Sequence, residues 1–124
     1  MNSHDDDDQW LEGMRVYYLS RAGDKLDQLS KAVSGLEQSP RNTAAYSRLD
    51  TLLHNLIGSG GSYGLPEVSD AARQMLKRLK SCRQGGGITG GELMSDLWSG
   101  LDRLRIIFAD ASTGTSFASQ NPGS

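Results

Sequence analysis

The sequence predicts an all-α protein, an antiparallel four-helix bundle. Three observations carry this. Apolar residues recur at steps of three and four along most of the chain. Proline and clustered glycines interrupt that period, and no period-two run reaches the length of a useful strand. Amphipathic segments joined by short connections bury their stripes by packing antiparallel around one core.

The elements follow in order. Residues 1–9, MNSHDDDDQ, contain four consecutive aspartates and are expected to be a disordered, self-repelling leader. Leu11, Met14, Tyr18, Ala22, Leu26, Leu29, Val33 and Leu36 then form one long stripe. That segment is long enough to divide into a short N-terminal helix and a long one. Pro40 separates it from the next helix, which Asn42 or Thr43 is placed to cap. Ala45, Leu49, Leu52, Leu53 and Leu56 make the second stripe, which the glycines after Leu56 bring to an end near residue 62. Pro66 suits the first position of a third helix, along which Val68, Ala72, Met75, Leu79 and Cys82 recur. Five glycines between Gly85 and Gly91 predict a flexible connection. Leu93, Leu97, Leu101, Leu104 and Phe108 form the last stripe, with Trp98 and Ile107 beside it. Residues 111–124 are small and polar, as in a flexible tail or linker, which leaves 10–110 as the bundle.

Bulk composition narrows the function. The 124 residues suit one domain, and 36% hydrophobic with 23% charged residues suits a soluble one. A net charge of -2 gives no case for binding nucleic acid or an anionic membrane. No apolar run approaches the roughly 20 residues of a membrane span, and the acidic N-terminus lacks a secretory pattern. The single Cys82 cannot form an internal disulfide, which favours a reducing, cytoplasmic setting. One cysteine and two histidines argue against a metal site.

His54 is the residue that invites chemistry. With about 100° per residue, it falls roughly 140° from Leu49 at the centre of its helix's apolar face, so it should project from the bundle. Ser47, Asp50, Thr51, Gly58 and Gly61 share its side. Glycine within a helix costs roughly 1 kcal/mol relative to alanine. Gly58 and Gly61, one and two turns beyond the histidine, are explained either by fraying of the helix end or by a partner that must come close. An exposed neutral imidazole offers a lone pair without a base to activate it. Phosphoryl transfer needs mainly positioning and charge stabilisation, which a partner can share.

His54, Leu56, Gly58, Ser59 and Gly64, continued by Leu65 and Pro66, resemble the motif of the histidine-containing phosphotransfer domain family of bacterial phosphorelays and chemotaxis kinases. The motif covers about a dozen residues, and the helix pattern extends the likeness over roughly residues 10–110. The resemblance implies a four-helix bundle with His54 as phosphoacceptor. It implies that Gly58 gives the partner room, that Ser59 lets a neighbouring helix pack closely, and that Gly64 shapes the turn. It also implies a response-regulator receiver domain or a histidine kinase as partner. No cofactor is expected on this chain, since the divalent metal would belong to the receiver. One departure matters: Ile57 stands where the family commonly has a lysine that holds phosphoryl charge. Arg73 and Lys77, one turn apart on the third helix, are candidates to replace that charge, and equally suit a plain solvated basic face. Asp50, one turn before His54, is placed to orient the imidazole, although such pairs are common on helices.

Rival readings are weaker or share the same fold. A nucleotide-binding glycine loop fails because Tyr63 occupies the third glycine position of a G-x-G-x-x-G in GSGGSYG, no lysine follows to make a phosphate-binding P-loop, and no strand precedes it. An autonomous hydrolase or metalloenzyme lacks partner residues. A non-catalytic helical interaction module, with Ile57 in the contact, is the stronger alternative. The phosphoacceptor domain of a larger chemotaxis-type kinase is another.

Overall fold

The structure is a computed structural model that describes residues 3–84 and 90–120, with side chains described for 9–84 and 90–113. Five helices follow one another: α1 (Ser3–Ser20), α2 (Ala22–Gln38), α3 (Thr43–Ser62), α4 (Pro66–Arg83) and α5 (Gly90–Gln120). Helices α2 to α5 each pack on the next, and α5 closes back on α2. This is the expected antiparallel four-helix bundle.

The core is the union of the four apolar stripes. Leu29 and Val33 of α2, Leu49 and Leu53 of α3, Val68 and Leu79 of α4, and Leu97, Leu101 and Leu104 of α5 are fully buried. Leu56 is 3% exposed, so Leu56→Ala should cost about 2 to 5 kcal/mol in a denaturant titration. The start signals act as their chemistry requires. The Asn42 side-chain oxygen accepts from the Ala45 amide at 3.0 Å and caps α3. Pro66 opens α4, where its missing N–H costs nothing. Trp98 donates from Nε1 to Glu37 at 3.2 Å, linking α5 to α2.

The N-terminal segment differs from expectation. The extra helix is not short: α1 has 18 residues and takes in the aspartate run placed in a disordered leader. Carboxylates in a first helical turn are favoured by the helix dipole, which offsets their mutual repulsion. Leu11, expected in the buried stripe, is 53% exposed, and Met14 is only half-buried. The period continues through α1, but Leu11 borders an open groove beside the end of α3 and is not covered there. Tyr18 and Leu19 in its last turn are its only buried residues among those described. At the other end, α5 continues to Gln120, into the stretch expected as a tail. Of the glycine-rich connection, residues 85–89 lie outside the described residues, and Gly90 and Gly91 belong to α5.

Tyr18 fastens α1 to the bundle. Its ring stacks on Tyr63 with centroids 4.5 Å apart and meets Phe108 at 5.9 Å. Its hydroxyl lies 2.8 Å from Ser59 Oγ. Burial pushes the Tyr18 phenol above its ordinary 10.0, and the bond to Ser59 partly opposes this. A pKa higher in the folded state stabilises the protein fully below pH 10, and that stability is lost as pH rises through the folded value. The melting temperature should therefore fall more steeply above pH 10 for the native protein than for Tyr18→Phe.

Candidate functional site

The outer face of α3 carries the site. Leu49, Leu53 and Leu56 turn inward and hold the helix against the core, which leaves the His54 side chain 55% exposed. Its Nε2 lies 3.4 Å from Oδ1 of Asp50, one turn earlier on the same helix. No hydrogen bond closes between them, since Asp50 Oδ1 is buried without a hydrogen-bond partner. The carboxylate is a close neighbour of the ring on the same helix face.

The glycines around His54 play different parts. Gly58 is exposed, and a Cβ there would have no neighbour within 4 Å, so the surface one turn beyond the imidazole is bare. Gly61 is exposed as well, with only Ser69 Oγ nearby at 3.7 Å. Gly64 adopts φ +73°, a left-handed conformation that favours glycine, and turns the chain from α3 into α4. Gly60, which sequence reasoning passed over, is the close-packing glycine. A Cβ there would lie 2.7 Å from Ser69 Oγ and 2.8 Å from the Ser69 amide nitrogen.

Ser69 explains why α3 and α4 come so close. It is buried on α4 and donates its hydroxyl to the Ile57 carbonyl at 2.6 Å. Ser59 points elsewhere, about 100° around α3 from Gly60, and is bonded to Tyr18. The close approach of a neighbouring helix is thus made at Gly60, while Ser59 holds α1. Ile57 is half-buried and packs on the edge of the core, so its side chain supplies shape and no charge.

The basic residues on α4 are placed by the same register. Gly60 meets Ser69 at one end, and the Arg83 guanidinium lies 4.2 Å from the Tyr46 ring centre at the other. His54 then stands at the height between Arg73 and Lys77. Ser69 and Arg73 are four residues apart and share the edge of α4 that faces α3. Both basic side chains are exposed, and Arg73 pairs with Asp70 at 3.0 Å on its own helix. Such an exposed pair is weak and easily exchanged for a better anion. Among the described residues no three His, Cys, Asp or Glu side chains are grouped to hold a metal ion, and no helix is long and apolar enough to cross a membrane.

An open groove of about 640 Å³ lies between α1 and the end of α3, bordered by Trp10, Leu11, Met14, Arg15 and Gly61 to Gly64. Arg15 Nε is buried there without a hydrogen-bond partner. Sequence reasoning missed this part of the surface, because it depends on where α1 lies.

Neither the curated proteins nor the solved structures compared with the chain give a match. A family model, the Hpt domain, matches residues 13–107, which span the last two turns of α1 and the bundle as far as Ile107 of α5. The chain therefore belongs to the Hpt domain family, the histidine phosphotransfer modules of two-component signalling.

Proposed function

We propose that this chain is a cytoplasmic phosphorelay intermediate that accepts a phosphoryl group on His54 from a receiver-domain aspartate and passes it to another. The observation that carries this reading is the exposed imidazole beside the bare surface of Gly58. A ring nitrogen of neutral His54 attacks the phosphorus of the aspartyl phosphate with its lone pair. The N–P bond forms as the P–O bond to the aspartate breaks, and the carboxylate leaves with the electron pair. The ring becomes cationic in this step, and Asp50 is near enough to stabilise that charge. The divalent metal is supplied by the receiver.

Ile57 leaves the phosphoryl oxygens without the family's usual lysine on α3. Arg73 and Lys77, at the height of His54 on α4, are the cations that this chain offers in its place. The half-buried apolar Ile57 also favours a second reading, a module that docks a receiver or kinase without accepting phosphate.

Incubation with a receiver domain phosphorylated on its aspartate separates the two. The expected result is acid-labile label on the native chain and none on His54→Gln. Melting temperatures of the two should agree closely, because the side chain is solvated. Binding of the receiver without any label would sink the transfer reading and leave the docking module.

A further inference from the structure

Where α2 turns into α3, α4 ends and α5 begins, an open cavity of about 670 Å³ enters the surface. Its size falls within the range of small-molecule sites. Leu36 of α2, Leu79 of α4 and Leu93 of α5 are buried core residues that line it. The half-buried Tyr46 and Met94 extend this apolar lining. Gly90 and Gly91 leave the α5 side bare, since a Cβ at either would meet nothing within 4 Å. A ligand seated there would remove apolar surface from water on several sides at once.

The charges of the lining define the rest of that ligand. Arg41 and Arg83 are exposed at the cavity, and neither is ion-paired among the described residues. The Arg83 guanidinium lies 4.2 Å from the centre of the Tyr46 ring, which holds its charge beside the aromatic wall. Glu37 is the one acidic residue among the described lining residues, and its carboxylate accepts from Trp98 Nε1 at 3.2 Å. Two cations thus accompany one carboxylate that is already hydrogen-bonded. An apolar interior with a net positive rim is complementary to a molecule with an apolar body and one anionic end.

We propose that this cavity binds a small amphiphilic carboxylate, an alkyl or aryl acid. Its apolar body lies against Leu36, Leu79, Leu93 and Tyr46, and its carboxylate meets Arg41 and Arg83. The planar fork of a guanidinium suits a carboxylate better than any neutral head group. Tyr46 comes eight residues before His54 on α3, a distance of about 12 Å along the helix. The ligand therefore leaves the face around His54 open, and binds whether or not that histidine accepts phosphate.

Cys82 is the single cysteine of the chain and lines the cavity, so its alkylation by iodoacetamide reports occupancy. Octanoate, octanol and octylamine are the probes, alike in tail and different in head. On the full chain, octanoate should slow the alkylation saturably below about 10 mM. Octanol should bind about tenfold more weakly, and octylamine should give no protection. Arg41→Glu combined with Arg83→Glu should reverse the order of octanoate and octylamine, with native helicity kept by circular dichroism. Absence of protection by octanoate, or equal protection by all three probes, overturns the proposal on the native chain alone. So does a folded charge-reversed variant that still prefers octanoate. Protection that appears only in Ile88→Gly would assign the cavity to the chain's own connection, and overturns it as well.

Discussion

Gly60→Leu should destabilise the protein by about 3 kcal/mol or more and lower its melting temperature by on the order of 10 °C. At this position α3 and α4 touch nearly backbone to backbone. A Cβ would come 2.8 Å from the Ser69 amide nitrogen and 3.1 Å from the Leu65 carbonyl oxygen. Neither atom can rotate away, so the helices must separate, and the bond from Ser69 to the Ile57 carbonyl would stretch. Loss of that bond strands a buried hydroxyl, a further cost of about 1 to 3 kcal/mol. The informative control is Gly58→Ala. That position is open, so alanine should stabilise the helix by up to about 1 kcal/mol while hindering a docking partner. Thermal melts of the two variants should move in opposite directions. A stabilising substitution at Gly60 would mean that α3 and α4 do not pack as described.

Tyr18→Ala should cost about 3 to 5 kcal/mol. The ring is 4% exposed and fills the space between Tyr63, Phe108 and the end of α3. Removing it leaves a cavity and takes away the main attachment of α1. Tyr18→Phe keeps the stacking and loses only the contact with Ser59, so it should cost about 1 kcal/mol. The ratio of the two effects, measured by denaturant unfolding, distinguishes packing from hydrogen bonding. Equal losses would show that the hydroxyl, and not the ring, holds the helix.

Much of this was legible in the sequence, for a physical reason. Burial on a helix follows its 3.6-residue period, so the positions of Leu49, Leu53 and Leu56 place His54 outside without knowledge of any neighbour. Asn42 and Pro66 act through their own backbones and are equally local. What was not legible depends on register between elements. Gly58, Gly60 and Gly61 look alike in a string of letters. Only the position of Ser69 on α4 makes Gly60 the one that cannot change. The same limit hid the extent of α1. Leu11 continues the apolar period, but periodicity cannot reveal that it stays exposed at an open groove beside the end of α3.

The placement of His54 in the middle of α3 has a kinetic consequence. The residue before it is completely buried, and an unbroken helix continues for about two turns beyond it. Amide hydrogens around residue 54 should therefore exchange with solvent only through global unfolding. A phosphoryl group can then arrive and depart without any reshaping of the backbone. On the proposed reading the carrier has no on or off shape. The direction of flow is set by the relative phosphorylation potentials of the two receivers and by their concentrations.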